Sequence, residues 1–256
     1  MDSLLKPGER IDDLQYKGLR IIQKPGNFCF GTDSVLLANF VLVKRHDRVV
    51  DLGCGSGLIS ILLAGKTQAE SITGVEIQEE AADMAQRSVR MNRLEDRVKI
   101  INGDLRNITE VMGKGSVEVV AVNPPYRVKG CGEMSLESCK AIARHEIMCT
   151  LEDIIRTSSN LLVPGGRLFI VHQPERLIDL ACETRKYNLE PKRLRFVHSS
   201  CGKPPSLILL EAVKGGRPSL VVEHPLYMHE TDGSYTPEAK KIYGLGGEVC
   251  HTESSI

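Results

Sequence analysis

The chain has 256 residues, 41% of them apolar, and a formal net charge of zero. That is enough for one sizeable core, and it gives no bulk electrostatic pull toward nucleic acid or membrane. The opening stretch has no apolar leader core, no run approaches the roughly 18 apolar residues of a membrane helix, and the eight cysteines form no Cys-x-x-Cys or paired Cys/His spacing. A cytoplasmic protein with reduced thiols and no metal is expected.

Leu19-Arg20-Ile21-Ile22, after Lys17-Gly18, predicts one arm of a small hairpin, and Thr32-Asp33 predicts the start of a helix over residues 34–43. Arg48 to Leu52 is a short strand, followed by a glycine loop and a helix over residues 58–64. Residues 71–76 form a second strand, 79–92 a helix, 98–101 a third strand and 117–122 a fourth. Thr150-Leu151-Glu152-Asp153 is a capping box opening a helix that stops near Leu162, before Pro164-Gly165-Gly166. Residues 167–172 form a strand and 174–187 a helix; 193–198 and 206–213 are two last strands with no helix between them. Alternation of strands and helices predicts an α/β fold, a mostly parallel sheet with helices on both faces. The last two strands predict an antiparallel C-terminal hairpin. The division expected is a hairpin and helix over 1–46, a core domain over 47–215 and a weakly structured, Pro/Gly-rich tail over 216–256. Residues 127–149 lack periodicity and read as a long loop.

Asp51-Leu52-Gly53-Cys54-Gly55-Ser56-Gly57 puts glycines where a strand turns into a helix, so backbone can approach a ligand closely. A dinucleotide fingerprint would need its third glycine at 58, which is Leu58. Asp-x-Gly-x-Gly-x-Gly is instead the pattern of S-adenosylmethionine-dependent methyltransferases, and Asp51 suits a cationic methionine group. Glu76 ends the second strand, where a carboxylate can accept both ribose hydroxyls; an exposed strand-end acid is the alternative. Asp104 ends the third strand and can accept from an adenine amino group, or it is simply a turn aspartate. Ile77 and Leu105 adjoin these two acids and join the same expected cofactor site.

Asn123-Pro124-Pro125-Tyr126 follows the fourth strand, at the edge where open α/β sheets bind ligands. The prolines fix the backbone, so the Asn123 side-chain oxygen and the Pro124 carbonyl can face one planar nitrogen. Accepting both of its hydrogens favours a pyramidal nitrogen and aims its lone pair at a methyl group. Tyr126 offers a face for a flipped base, worth about 1–3 kcal/mol. Between Arg185 and Arg217, eight Lys/Arg face two acids. This local surplus of six is a solvated face or an RNA-backbone contact, with Lys192, Arg193 and Arg195 at its centre.

These stretches, with Phe28-Cys29-Phe30-Gly31-Thr32-Asp33-Ser34, Asn102-Gly103-Asp104 and Ala143-Arg144-His145-Glu146, give the chain its resemblance. It resembles the class I amino methyltransferases, and more closely the bacterial valine tRNA adenine-N6-methyltransferase family. The resemblance covers most of residues 9–215. It implies a seven-stranded sheet, S-adenosylmethionine as cofactor and methylation of an exocyclic adenine nitrogen in tRNA. By the same analogy Phe30, Gly31 and Thr32 line the cofactor pocket. Arg127 and Lys129, in a stretch without a close counterpart in the family, and Arg144 and His145, which can hold phosphate or base, are the residues expected to meet substrate. Arg144 can equally pair with Glu146 to order the loop. Release-factor glutamine methyltransferases share Asn-Pro-Pro-Tyr, but they resemble one another in a helical N-terminal domain that these first 46 residues do not suggest. A non-catalytic cofactor- and RNA-binding protein is the other alternative; binding alone requires neither Asn123 nor Tyr126.

Overall fold

A computed structural model describes residues 4–25, 31–124 and 149–245. A hairpin, β1 (Arg10–Asp13) and β2 (Arg20–Gln23), leads into helix α1 (Thr32–Phe40). Alternating units follow: β3 (Arg48–Leu52), α2 (Leu58–Lys66), β4 (Ser71–Glu76), α3 (Glu79–Met91), β5 (Val98–Asn102), α4 (Ile108–Met112) and β6 (Val117–Val122). Beyond residue 149 come α5 (Leu151–Leu161), β7 (Leu162–His172), α6 (Leu177–Lys186), β8 (Leu189–Ser200) and β9 (Pro205–Lys214). The tail adds β10 (Val221–Val222), β11 (Leu226–His229) and α7 (Pro237–Ile242).

The main sheet has the order β10-β8-β9-β7-β6-β3-β4-β5, with β11 also paired to β8. Strands β3 to β7 run parallel to one another, while β9 runs antiparallel to both β7 and β8. The seven strands β3 to β9 and the C-terminal hairpin are those the sequence implies. The central strands are buried on both faces, which is why β6 reads as an apolar run rather than an alternation. Val119 and Ala121 pack into one core with α1 and α2; Val120 and Val122 pack into the other with Ile155 and Leu161 of α5.

Two expectations need correction. The Pro164-Gly165-Gly166 stretch does not merely end a helix: it lies within β7, which already pairs at Leu162 and shifts register against β6 between Val117 and Val119. Gly165 takes φ +78°, which glycine adopts without strain. The tail, expected to be weakly structured, forms two short strands parallel to β8 and a helix. Its Leu226, Met228 and Ala239 are buried in the α1-side core, and this apolar burial is what orders it.

The N-terminal hairpin is locked onto α3. The Ser88 hydroxyl accepts from Ile22 N at 2.9 Å, and the Asn92 amide meets both backbone groups of Arg20 at 2.9 and 2.6 Å. Buried Arg87 takes both Glu9 carboxylate oxygens at 2.6 Å and Asp83 at 2.7 Å. This docking fixes β2, and so the direction in which the chain returns to α1.

Candidate active site

The glycine loop lies between the end of β3 and the start of α2. Gly53, Gly55 and Gly57 have φ of +73°, +55° and +91°, a region L side chains rarely adopt. At Gly53 and Gly55 a Cβ would meet nothing within 4 Å, so the backbone faces open space. At Gly57 a Cβ would press on Ala85 of α3 at 3.2 Å, so that glycine also serves helix packing. The loop is held from β4: Gly53 N and Cys54 N donate to Val75 O at 2.8 and 3.1 Å.

Two carboxylates lie beneath it. Glu76, at the end of β4, accepts from Gly55 N and Gln78 N, one on each oxygen, both at 2.9 Å. Asp51, fully buried near the end of β3, accepts on Oδ2 from Ser60 N at 3.1 Å and Ser60 Oγ at 2.7 Å. Its Oδ1 is buried with no hydrogen-bond partner among the described residues. Burial pushes the Asp51 carboxyl up to about 7; the Ser60 hydrogen bonds oppose this and the Glu76 charge adds to it. A buried acceptor without a donor is costly, and a cation placed against it would give that oxygen a partner and offset the burial that raises the pKa. The open glycine backbone, the orphaned Asp51 oxygen and the Glu76 carboxylate therefore fit a ligand carrying an ammonium and a ribose.

Cys54 is buried under the same loop, and desolvation raises its thiol well above the usual range, so it packs rather than reacts. A Cβ on Gly74 would lie 2.8 Å from both Cys54 Sγ and Ile100 Cδ1. The glycine of Gly74-Val75-Glu76 thus makes room for Cys54 behind the loop.

At the end of β5 the outcome is different. Asp104 caps a short 3₁₀ turn over Leu105–Asn107, accepting from Arg106 N at 2.9 Å. The Arg106 guanidinium reaches both of its oxygens, with Nε at 3.0 and 2.9 Å. That hydrogen-bonded pairing lowers the Asp104 carboxyl. These are contacts of the kind a turn aspartate makes. Ile77 is partly exposed beside Glu76, while Leu105 packs against the α5-side core.

Asn123 follows β6 immediately and its amide nitrogen donates to Ser34 Oγ of α1 at 2.8 Å. Gly31 is the N-cap of α1 and Thr32 its first residue, so the expected Gly31 and Thr32 stand within one turn of this contact. Pro124 is buried next to Asn123. Phe30, Pro125, Tyr126, Arg127, Lys129, Arg144 and His145 lie outside the described residues. On β7, buried His172 accepts from Gln173 N at 2.8 Å, and burial pushes its pKa down to about 4, keeping it neutral.

The structure places Lys192, Arg193 and Arg195 on β8, four strands across the sheet from β3, and engages each within the fold. Arg193 bridges Glu211 and Glu223 at 2.6 Å each and lies over the Phe40 ring at 4.5 Å. Arg195 pairs with Glu238 at 2.8 Å; Lys192 donates to Arg217 O and Ser219 Oγ at 2.6 Å. Glu223 and Glu238 lie past the window in which the surplus of six was counted, and they offset two of its charges on β8.

Ser60 and Ser34 escape sequence reading. Ser60 is nine residues past Asp51, and only the turn into α2 brings its hydroxyl back. Ser34 lies inside the Phe-Gly-Thr-Asp-Ser stretch, but its partner is 89 residues away.

Among the described residues no helix is long and apolar enough to cross a membrane, and no group of three or more His, Cys, Asp or Glu could hold a metal ion. Residues 18–181 match the methyltransferase small domain model. The chain is 30% identical to a tRNA1(Val) (adenine(37)-N6)-methyltransferase of Porphyromonas gingivalis, over 90% of this chain and 93% of that one. It is 29% identical to the protein of that name in Tolumonas auensis, over 81% and 85%. Among solved structures, one described as a predicted O-methyltransferase from Agrobacterium tumefaciens matches with a TM-score of 0.68 and 26% identity, covering 83% of this chain and 95% of that one.

Proposed function

The chain belongs to the methyltransferase small domain family and, with it, to the tRNA1(Val) (adenine(37)-N6)-methyltransferases, and from that premise we propose that it methylates the exocyclic N6 of an adenosine in tRNA, using S-adenosylmethionine. The observation that carries this reading is the pairing of two strand ends. Asp51 of β3 is in register with Ala121 of β6, so the orphaned carboxylate oxygen and Asn123 belong to neighbouring tips of one sheet.

Asp51 meets the ammonium of the cofactor and Glu76 its ribose hydroxyls, with the backbone of Gly53 and Gly55 against it. Bound there, S-adenosylmethionine supplies an electrophilic methyl group on a sulfonium. Everything else is positioning by the chain. Asn123 Oδ1 and the Pro124 carbonyl accept the two hydrogens of the amino group, so its lone pair is less delocalised into the ring. Tyr126 stacks on the extruded base, and Arg127, Lys129, Arg144 and His145 take the surrounding RNA. A base paired or stacked in a duplex cannot reach a sheet edge, so an unpaired loop is the substrate of lowest extrusion cost. An enzyme with this substrate would act in the cytoplasm.

The test is transfer of labelled methyl from S-adenosylmethionine to bulk unmethylated tRNA and, separately, to release factor, followed by digestion and mass spectrometry. N6-methyladenosine is the expected product. Label in glutamine, in a ring nitrogen or on a ribose oxygen would overturn the adenine assignment.

A further inference from the structure

We propose that Ser60 is a positioning residue for the cofactor: its backbone N–H and its hydroxyl both hold Asp51 Oδ2, which fixes the carboxylate and leaves Oδ1 as the oxygen for the cofactor ammonium. The inference rests on the proposed role of Asp51 and goes one step beyond it.

Chemistry fixes the direction of these hydrogen bonds. A backbone N–H can only donate, and an ionised carboxylate can only accept, so the Ser60 hydroxyl donates to it. Both bonds end on the same oxygen, at 3.1 Å from N and 2.7 Å from Oγ, while Oδ1 has no hydrogen-bond partner among the described residues. The terminal torsion of an aspartate is broad, and two donors on one oxygen remove that freedom. Donors aimed at a carboxylate also favour its charged form, the form an ammonium requires.

Ser60 is the one polar side chain in the buried run Leu58 to Ala64 of α2. Alanine there would suit the helix better and would bury no hydroxyl. The start of the helix does not need the hydroxyl either. Gly57, the N-cap, has no side chain to cap α2, and Asp51 already takes the Ser60 N–H in its place. The hydroxyl is a further donor on the same carboxylate. Its target is rigid, because Asp51 lies within β3 and pairs with Gly74 of β4 on one side and Ala121 of β6 on the other. Around Asp51, burial and the Glu76 charge oppose ionisation, and the two Ser60 hydrogen bonds favour it. Cys54, in the loop above, has its thiol pushed well above the usual range and stays neutral.

The test is calorimetric titration of the full-length protein with S-adenosylmethionine from about pH 6 to 8.5. Loss of one hydrogen bond to a charged group should move the ionisation of Asp51 up by about one pH unit. Ser60→Ala should then bind about 5- to 10-fold more weakly than wild type at pH 6–7, and within about twofold of it at pH 8.5. Ionisation of the ligand's own amino group acts on both proteins alike and leaves this ratio unchanged. In melts without cofactor, the fall in stability with rising pH should run to higher pH in Ser60→Ala, because its folded carboxyl lies further above 3.8. On an Asp51→Asn background, Ser60→Ala should add no pH-dependent loss. Unchanged affinity at every pH, or a loss of equal size at pH 6 and pH 8.5, would overturn the inference. If Ser60→Ala proves too unstable to titrate, Ser60→Cys decides it. A thiol is a weaker donor of similar size, so its curve should move the same way, and a curve coincident with wild type counts against the hydroxyl. Unchanged affinity in Asp51→Asn alone would instead break the parent reading.

Discussion

Charged and polar groups at the carboxyl edge of the sheet and those on β8 look alike in the sequence and behave oppositely in the fold. At the edge, Asp51 is buried with one oxygen lacking a donor among the described residues, and its carboxyl is pushed up to about 7. On β8, Arg193 is half-buried and meets two glutamates at 2.6 Å. Burial works against its charge, yet the two glutamates outweigh that and raise its guanidinium. A site is marked by a group whose chemistry the chain leaves incomplete, and a scaffold by one whose partners come from the chain itself. Asp104, clasped by Arg106 yet close to the edge, stands between the two.

The comparison breaks hardest at Asn123. Asn123→Ala should keep affinity for S-adenosylmethionine in calorimetric titration and lose roughly 10²- to 10³-fold in kcat, the scale of one preorganised polar contact at a reacting centre. A variant that turned over at the normal rate would make the edge amide a structural one, like the arginines of β8.

Asp51→Asn sharpens the comparison, because it should improve the empty protein while harming the loaded one. Affinity for S-adenosylmethionine should fall about 10- to 100-fold, the range for a hydrogen bond to a charged group. Stability should move the other way, and its sign follows from linkage. The folded pKa of about 7 lies above the ordinary 3.8, so the folded state binds this proton more tightly. Its contribution is fully present below the ordinary value of 3.8 and is lost as pH rises through about 7. In the absence of cofactor the wild type should therefore weaken between those two values, on the order of a few kcal/mol from this group. Asp51→Asn should flatten that slope in thermal melts, and an identical pH profile in both proteins would show that Asp51 is not the group responsible.

Much of this was legible in the residues themselves. Strand–helix alternation pointed to the sheet, Thr150 and Asp153 marked the start of α5 by their capping geometry, and Asp51-x-Gly-x-Gly-x-Gly marked the strand-to-helix turn. Each is a local signal, decided by residues within a turn or two of each other. What stayed hidden depends on distant chain. The tail opens on Gly215-Gly216-Arg217-Pro218, which reads as loop, yet Leu226 and Met228 a few residues on find a core elsewhere. The pairing of Arg195 with Glu238 spans 43 residues and that of Asn123 with Ser34 spans 89. No short window along the sequence contains both partners.

On the scaffold side, Arg193→Gln should lower stability by about 1–3 kcal/mol, between the values of exposed and buried pairs, because Glu211 is left nearly buried with its main partner gone. Denaturant titration reads this directly. The KM for tRNA, measured where the variant is fully folded, should stay close to the wild type. A large rise in KM without loss of stability would return Arg193 to the substrate.

The smallest effect belongs to Lys192→Ala. Its ammonium donates to Arg217 O and Ser219 Oγ, so it closes the turn that leads from β9 into the tail. A lysine that held an RNA phosphate would release a counterion on binding, and its loss would lower the slope of log affinity against log salt by about 1. A lysine bound within its own chain would change that slope very little. The expected result is an unaltered salt dependence of tRNA binding and a KM within about twofold. A slope reduced by about 1 would mean that the lysine exchanges its internal acceptors for phosphate when RNA arrives, and the division between the edge and β8 would then hold only for the free protein.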